Sequence, residues 1–191
     1  MTIVLITGPS RSGKSEWAET LAAQITADNS QPVIYIATAK TNPLDAEWQA
    51  RIEQHRQRRP ETWLCEEVPV DLAGAILQTR AEVPCLLVDS LGTWLANLIE
   101  QDDDTWTKTQ QRLISALVST TAHVVLVAEE TGWGVVPAYE LGRRFRDRLG
   151  SLSRSIGEIS TDTYLVTSGY ALNLSQLGTS VKKQLNGSPS N

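Results

Sequence analysis

Short aliphatic and β-branched runs recur along the chain at Ile3 to Thr7, Val33 to Ala37, Cys85 to Asp89, Val124 to Ala128 and Tyr164 to Thr167. Their nearly unbroken apolar character predicts strands buried on both faces, as in a parallel sheet, rather than strands with one wet face. Longer segments of helical periodicity lie between them: Lys14 to about Ala27, Asp45 to Arg58, Leu72 to Arg80, Thr105 to Thr121 and Ala138 to Ile159. In the last, Leu141, Phe145, Leu149, Leu152, Ile156 and Ile159 follow one another at three- and four-residue steps, which predicts a single core-facing stripe. Arg143, Arg144, Arg146 and Arg148 are then left for a solvated face. Strand and helix alternate, so the expected fold is α/β, a mostly parallel sheet with helices on both faces and right-handed crossovers. In such a sheet the ligand site lies at the carboxyl ends of the strands.

A chain of 191 residues, 41% hydrophobic and 20% charged, suits one well-buried core. No repeat or interdomain linker is visible. A catalytic domain is expected over 1–174, followed by a flexible tail over 175–191 that is rich in Ser, Gln, Gly and Asn. The net charge of -5 argues against nucleic acid or an anionic membrane as partner. The opening run Ile3-Val4-Leu5-Ile6 is too short for a membrane span or signal and leads straight into a glycine loop, so it reads as the first strand. Cys65 and Cys85 lack the paired spacing of a zinc or redox site, and a cytoplasmic setting is expected. The acidic run Gln101 to Asp104 reads as a solvated turn before a helix, not a metal site.

Gly8-Pro9-Ser10-Arg11-Ser12-Gly13-Lys14-Ser15 satisfies the whole G-x-x-x-x-G-K-[ST] pattern, between a strand and a helix as the pattern requires. Glycines let the backbone curl so that successive N–H groups and the helix start face a polyphosphate, and Lys14 brings positive charge to its outer phosphates. Ser15 is the expected hydroxyl ligand of Mg²⁺ or a similar divalent cation. Asp89, at the end of Leu86-Leu87-Val88-Asp89, stands where P-loop proteins carry the carboxylate that assists the metal; it could equally cap the next helix. The expected class is therefore a single P-loop, RecA-like domain. The loop establishes a nucleotide and not a reaction.

On a helix from Asp45 to Arg58, Leu44, Trp48 and Ile52 share one face, and Arg51, His55 and Arg58 share the adjoining one. An imidazole among guanidiniums suits a nucleophile whose electrophile is a phosphate gripped by its oxygens. Neighbouring positive charge disfavours the imidazolium, which keeps such a histidine neutral and nucleophilic at physiological pH. A histidine in a charged helix is also an ordinary surface residue, and the pattern alone leaves both readings open.

Taken together, the motifs resemble the bifunctional adenosylcobinamide kinase/adenosylcobinamide-phosphate guanylyltransferase family. The likeness is carried by the loop at 8–15, Tyr35-Ile36-Ala37-Thr38-Ala39, the run from Ala50 to Pro60, Trp63, Glu67, Leu87-Val88-Asp89, Trp94-Leu95-Ala96-Asn97-Leu98, Gly132-Trp133-Gly134-Val135-Val136-Pro137 and Arg144-Phe145-Arg146-Asp147. The resemblance implies phosphorylation of adenosylcobinamide's terminal hydroxyl by ATP or GTP, then transfer of GMP from GTP to adenosylcobinamide phosphate, giving adenosylcobinamide-GDP in cobalamin biosynthesis. It further implies that His55 takes up GMP covalently, that 8–15, Ala37, Thr38, Ala39, Arg56, Gln57, Arg58, Arg59, Glu67 and Asp89 contact nucleotide, and that the protein is a homotrimer. Lys14 and His55 are the expected catalytic residues, Ser15 and Asp89 the expected metal ligands. Two positions depart from the pattern: Glu129-Glu130 replaces a usual Asn-Glu, and Ser153-Arg154 stands near a frequent Asn-Gln.

Two other functions use the same loop. A small-molecule kinase would share every loop residue without guanylylating His55. A nucleotide-dependent switch or motor ATPase would couple the loop to shape change, against which stand the short chain and the lack of an evident basic polymer-binding surface.

Overall fold

The computed structural model describes residues 1–27, 33–40, 50, 53, 56–79 and 85–181. Leu44, Trp48, Arg51, Ile52, His55, Arg80 and the tail from residue 182 lie outside the described residues, and with them most of the expected helix from Asp45 to Arg58.

Among the described residues the strands are β1 (Ile3–Gly8), β2 (Val33–Ala37), β3 (Leu64–Glu67), β4 (Cys85–Asp89), β5 (His123–Glu129), β6 (Asp162–Thr167) and β7 (Tyr170–Asn173). They form one sheet in the order β3-β2-β4-β5-β1-β6-β7. Every pairing is parallel except that of β6 with β7. The helices are α1 (Lys14–Thr26), α2 (Leu72–Gln78), α3 (Leu91–Asn97), α4 (Asp103–Ser119), α5 (Glu140–Ile159) and α6 (Leu174–Leu177).

Alternate residues of each inner strand point to opposite faces, and each face has its own cover. Ile3, Leu5, Ile34, Ile36, Leu86, Val88, Val124 and Leu126 pack under α2, α3, α4 and α5. Val4, Ile6, Val33, Tyr35, Leu87, Val125 and Val127 pack under α1, through Ala18, Ala22 and the flanking Trp17, Leu21 and Ile25. The expected architecture of helices on both faces is therefore present, with most of the helices on one side. No described helix is long and apolar enough to cross a membrane.

Four elements had no counterpart in the hydrophobic pattern. All four residues of β3 are exposed, so this edge strand carries Cys65, Glu66 and Glu67 where alternation would be sought. Helix α3 is buried on most of its circumference, which erases the amphipathic signal. β7 returns from β6 through Ser168 and Gly169, at φ 51 and 78, the paired left-handed residues of a tight hairpin. α6 follows at once and takes in Ser175, whose hydroxyl accepts the Thr163 N–H at 2.9 Å, so the stretch expected to be loose begins with an ordered turn.

α5 corrects two expectations. Leu149, Leu152 and Ile156 are buried as the stripe requires, but Leu141 is 46% exposed. Arg148 is not on a solvated face: it is 6% exposed, donating to the carbonyls of Ile99 at 3.3 Å and Gln101 at 2.8 Å and to Asp103 Oδ1 at 2.8 Å. Its guanidinium lies 5.4 Å from the Trp106 ring centre, so it staples α5 to the turn before α4. Asp102 in that turn caps α4 by accepting the Thr105 N–H at 2.7 Å, which holds its carboxyl below the usual range.

Candidate active site

The parallel strands deliver Gly8, Ala37, Glu67, Asp89 and Glu129 to one edge of the sheet. Gly8 is in register with Glu129, and Ala37 with both Glu67 and Asp89. β5 separates the strand that leads into the phosphate loop from the strand that ends in Asp89.

The loop from Gly8 to Lys14 has the curled backbone its sequence demands. Gly13 is left-handed at φ 92, where a side chain would be strained, and Arg11 is also left-handed at φ 59. A Cβ at Gly8 would collide with the Val166 carbonyl oxygen and stand 2.8 Å from Ser12 Oγ, so only glycine lets the loop leave β1 this close to β6. Lys14 is 8% exposed and its Nζ donates to the Pro9 carbonyl at 3.1 Å. Ser12 Oγ is buried with no hydrogen-bond partner among the described residues. An orphaned hydroxyl and a buried ammonium in one curled loop suit a loop made to receive phosphate oxygens.

On the α1 side of the sheet, polar groups are packed against one another beside the loop. Tyr35 donates its hydroxyl to Asp89 Oδ2 at 3.1 Å, and the Arg59 guanidinium stacks 3.7 Å from the Tyr35 ring centre. Burial and the facing Asp89 carboxylate push the Tyr35 phenol well above its ordinary range, so it acts as a donor. Arg58 bridges two carboxylates of α1, Glu16 Oε1 at 2.7 Å and Glu19 Oε1 at 3.3 Å. Burial raises the Glu19 carboxyl, and Arg58 partly restores it. Arg56 and Gln57 are exposed, and Gln57 donates to Glu53 Oε1 at 3.1 Å.

The turn after Asp89 is tied to three strand ends. Ser90 N–H donates to Thr38 Oγ1 at 2.9 Å, and Thr38 returns its hydroxyl hydrogen to the Ser90 carbonyl at 2.7 Å. Asn97 Nδ2 donates to the carbonyls of Thr38 at 2.7 Å and Pro69 at 3.0 Å. Ser90 Oγ also donates to Glu129 Oε1, and Gly92 N–H donates to Glu129 Oε2 at 2.9 Å. Burial raises the Glu129 carboxyl; the Ser90 hydrogen bond and Lys14 pull it down, and Asp89 pushes it up. Glu130 accepts the Thr7 hydroxyl at 2.7 Å and donates its N–H to the Gly8 carbonyl at 2.9 Å, joining the end of β5 to the loop.

Of the residues expected from sequence, 8–15, Ala37, Thr38, Ala39, Arg58, Arg59, Glu67 and Asp89 thus gather at one edge of the sheet or on the helix leaving it, while His55 lies outside the described residues. Sequence reasoning did not single out Tyr35, Glu16, Glu19 or Ser90 as partners of the site. The available signal was position: Glu129 ends a buried strand as Asp89 does.

Comparison with known proteins agrees with this geometry. A solved ATPase domain aligns with a TM-score of 0.50 at 11% identity, covering 86% of this chain and 68% of that one, a likeness of fold alone. Bifunctional adenosylcobalamin biosynthesis protein CobP of Pseudomonas aeruginosa is 44% identical over 156 residues, 81% of this chain and 86% of that protein. Bifunctional adenosylcobalamin biosynthesis protein CobU of Escherichia coli is 36% identical over 186 residues, 90% of this chain and 99% of that protein. The sequence profile described as cobinamide kinase / cobinamide phosphate guanyltransferase matches residues 4–174. A match over that span, carried on a P-loop sheet with its carboxylates at the expected edge, means that the chain belongs to the cobinamide kinase / cobinamide phosphate guanyltransferase family.

Proposed function

We propose that this chain phosphorylates adenosylcobinamide and then guanylylates the product through a GMP bound covalently to His55, both reactions sharing the loop at 8–15. The observation that supports the shared site is the anchoring of Arg58, three residues after His55, on Glu16 and Glu19 of the helix that begins at Lys14. Arg58 is thereby tied to the helix that leaves the phosphate loop.

In the guanylyl transfer, the neutral His55 imidazole attacks the α-phosphorus of GTP in line, the bond to pyrophosphate breaks, and a phosphoramidate forms. An oxygen of adenosylcobinamide phosphate then displaces the imidazole, giving adenosylcobinamide-GDP. In the kinase reaction the substrate hydroxyl attacks the γ-phosphorus of ATP or GTP, with Lys14 stabilising the charge on the outer phosphates. Ala37, Thr38, Ala39, Arg56, Gln57, Arg59 and Glu67 complete the nucleotide pocket in this reading.

Ser15 and Asp89 supply hard oxygen donors, and no group of three His, Cys, Asp or Glu gathers among the described residues. That donor set fits Mg²⁺, which takes one or two protein oxygens and fills its shell with phosphate and water. Bound there, it would neutralise charge on the phosphates. The family resemblance supports a homotrimer, to be read by sedimentation. The two free cysteines, Cys65 and Cys85, accord with a reducing, cytoplasmic setting.

The test is His55→Asn, incubated with α-labelled GTP. Acid-labile, base-stable label on the parent protein, lost in the variant together with guanylyl transfer while kinase turnover survives, is the expected result. A variant that still labels and transfers GMP at the parental rate refutes the covalent mechanism. Loss of kinase turnover alone would favour neither rival.

A further inference from the structure

Glu129 is the one carboxylate at this edge whose two oxygens are both held by donors of the Asp89 turn: Ser90 Oγ on Oε1 and Gly92 N–H on Oε2 at 2.9 Å, among the described residues. Burial raises the Glu129 carboxyl, whereas two donors on its two oxygens and the Lys14 ammonium favour the ionised form. The seat is tight. A Cβ at Gly92 would collide with Oε2 and come within 2.8 Å of the Glu129 Cδ, so residue 92 can carry no side chain while Glu129 holds this position. Glu129 also lies near enough to interact electrostatically with both Lys14 and Asp89.

Charge decides the consequence. Glu129 sets its charge beside that of Asp89 and against the Lys14 ammonium, while the Arg59 guanidinium stacked on Tyr35 and the Glu130 carboxylate on Thr7 stand at the same edge. A metal-free nucleoside triphosphate adds several negative charges to that balance, whereas its divalent-cation complex adds far fewer. Because burial draws the Glu129 carboxyl partly out of water, this difference is only partly screened.

We propose that Glu129 is a positioning residue that makes the site discriminate in favour of cation-bound nucleoside triphosphate: it fixes the Asp89–Ser90 turn and sets a second negative charge against bare polyphosphate. This rests on the P-loop reading above. It uses Glu129 as a fixed charge and strut, not as a ligand of the cation or as a base.

The experiment is titration of GTP into the protein, once with Mg²⁺ and once with EDTA, giving two dissociation constants and their ratio. Glu129→Gln should tighten metal-free GTP relative to Mg·GTP and lower the ratio by about tenfold, the scale of one partly screened charge. Gly92→Ala keeps the charge but expels the carboxylate from its seat, so it should lower the ratio by a smaller factor and serves if the Gln variant fails to fold. An unchanged ratio in a folded Gln variant, with both affinities shifted alike or only the melting temperature lowered, overturns the proposal and leaves Glu129 as a turn strut. An unchanged ratio in Gly92→Ala overturns it when the Gln variant does not fold. If the parent binds no GTP in either condition, the P-loop reading fails instead.

Discussion

Lys14→Met isolates the charge on which both proposed reactions depend. Methionine keeps the apolar stem of a side chain that is only 8% exposed, and removes an ammonium whose recorded partner is the Pro9 carbonyl at 3.1 Å. With one of its three donors on Pro9, two are available to outer phosphate oxygens. At roughly 1.5–3 kcal/mol for each charge-assisted hydrogen bond, the transition state loses about 3–6 kcal/mol, or about a hundredfold to ten-thousandfold in kcat/KM. The fold loses one hydrogen bond, about 1 kcal/mol, and a domain of this size then melts roughly 2–4 °C lower. The assay is kcat/KM for ATP-dependent phosphorylation and for guanylyl transfer, beside a thermal melt. Activity within threefold of the parent in both reactions would refute the assignment. So would a collapse of the melt by more than about 10 °C, because the kinetic loss would then report an unfolded protein.

Arg148→Met should leave the Ile99 and Gln101 carbonyls without their donor and destabilise the fold by about 3 kcal/mol, with the Asp103 pair contributing little because that carboxylate is solvent-exposed; chemical denaturation reads it, and a loss below about 0.5 kcal/mol contradicts the staple. Trp133 is 63% exposed, so Trp133→Ala should shift stability by no more than about 0.5 kcal/mol while weakening substrate binding if the ring packs on a ligand; a large stability loss with intact affinity would show that the ring instead closes an edge of the core. Burial pushes the Cys85 thiol up to about 12, whereas Cys65 is exposed, so maleimide at neutral pH should label Cys65 alone in the native protein and both on unfolding. Burial and the nearby N-terminal amine depress the His123 imidazole, so between its folded value and 6.5 the unfolded chain binds more protons and stability rises with pH; His123→Gln should flatten that slope in melts across mildly acidic pH.

The strands at the centre of the sheet were legible because they are apolar on both faces, and the phosphate loop because its geometry leaves few sequence solutions. Position 8 shows why: any side chain there meets the Val166 carbonyl, so the residue type announces the contact. β3 and α3 were not legible, for opposite reasons. One is too exposed to show alternation and the other too buried to show a moment. Arg148 was misjudged because arginine's charge suggests water, while its five donors equally suit a cluster of backbone carbonyls that only tertiary structure assembles. The carboxylates Glu16 and Glu19 had no meaning until the fold set Arg58 beside them.

The place of β1 within the sheet also governs how the protein comes into being on the ribosome. β1, the earliest strand of this sheet along the chain, has both of its neighbours far away: Ile3 pairs with Val124, and Val4 with Asp162. Until β5 has been synthesised, on the order of ten seconds later at ordinary elongation rates, the strand that carries the phosphate loop has no partner and the loop no fixed shape. A nascent chain is then unable to gain from the cell's abundant GTP and ATP, which stabilise only forms that bind them. Bound nucleotide can therefore stabilise only chains in which β5 and β6 have closed around β1 and given the loop its shape.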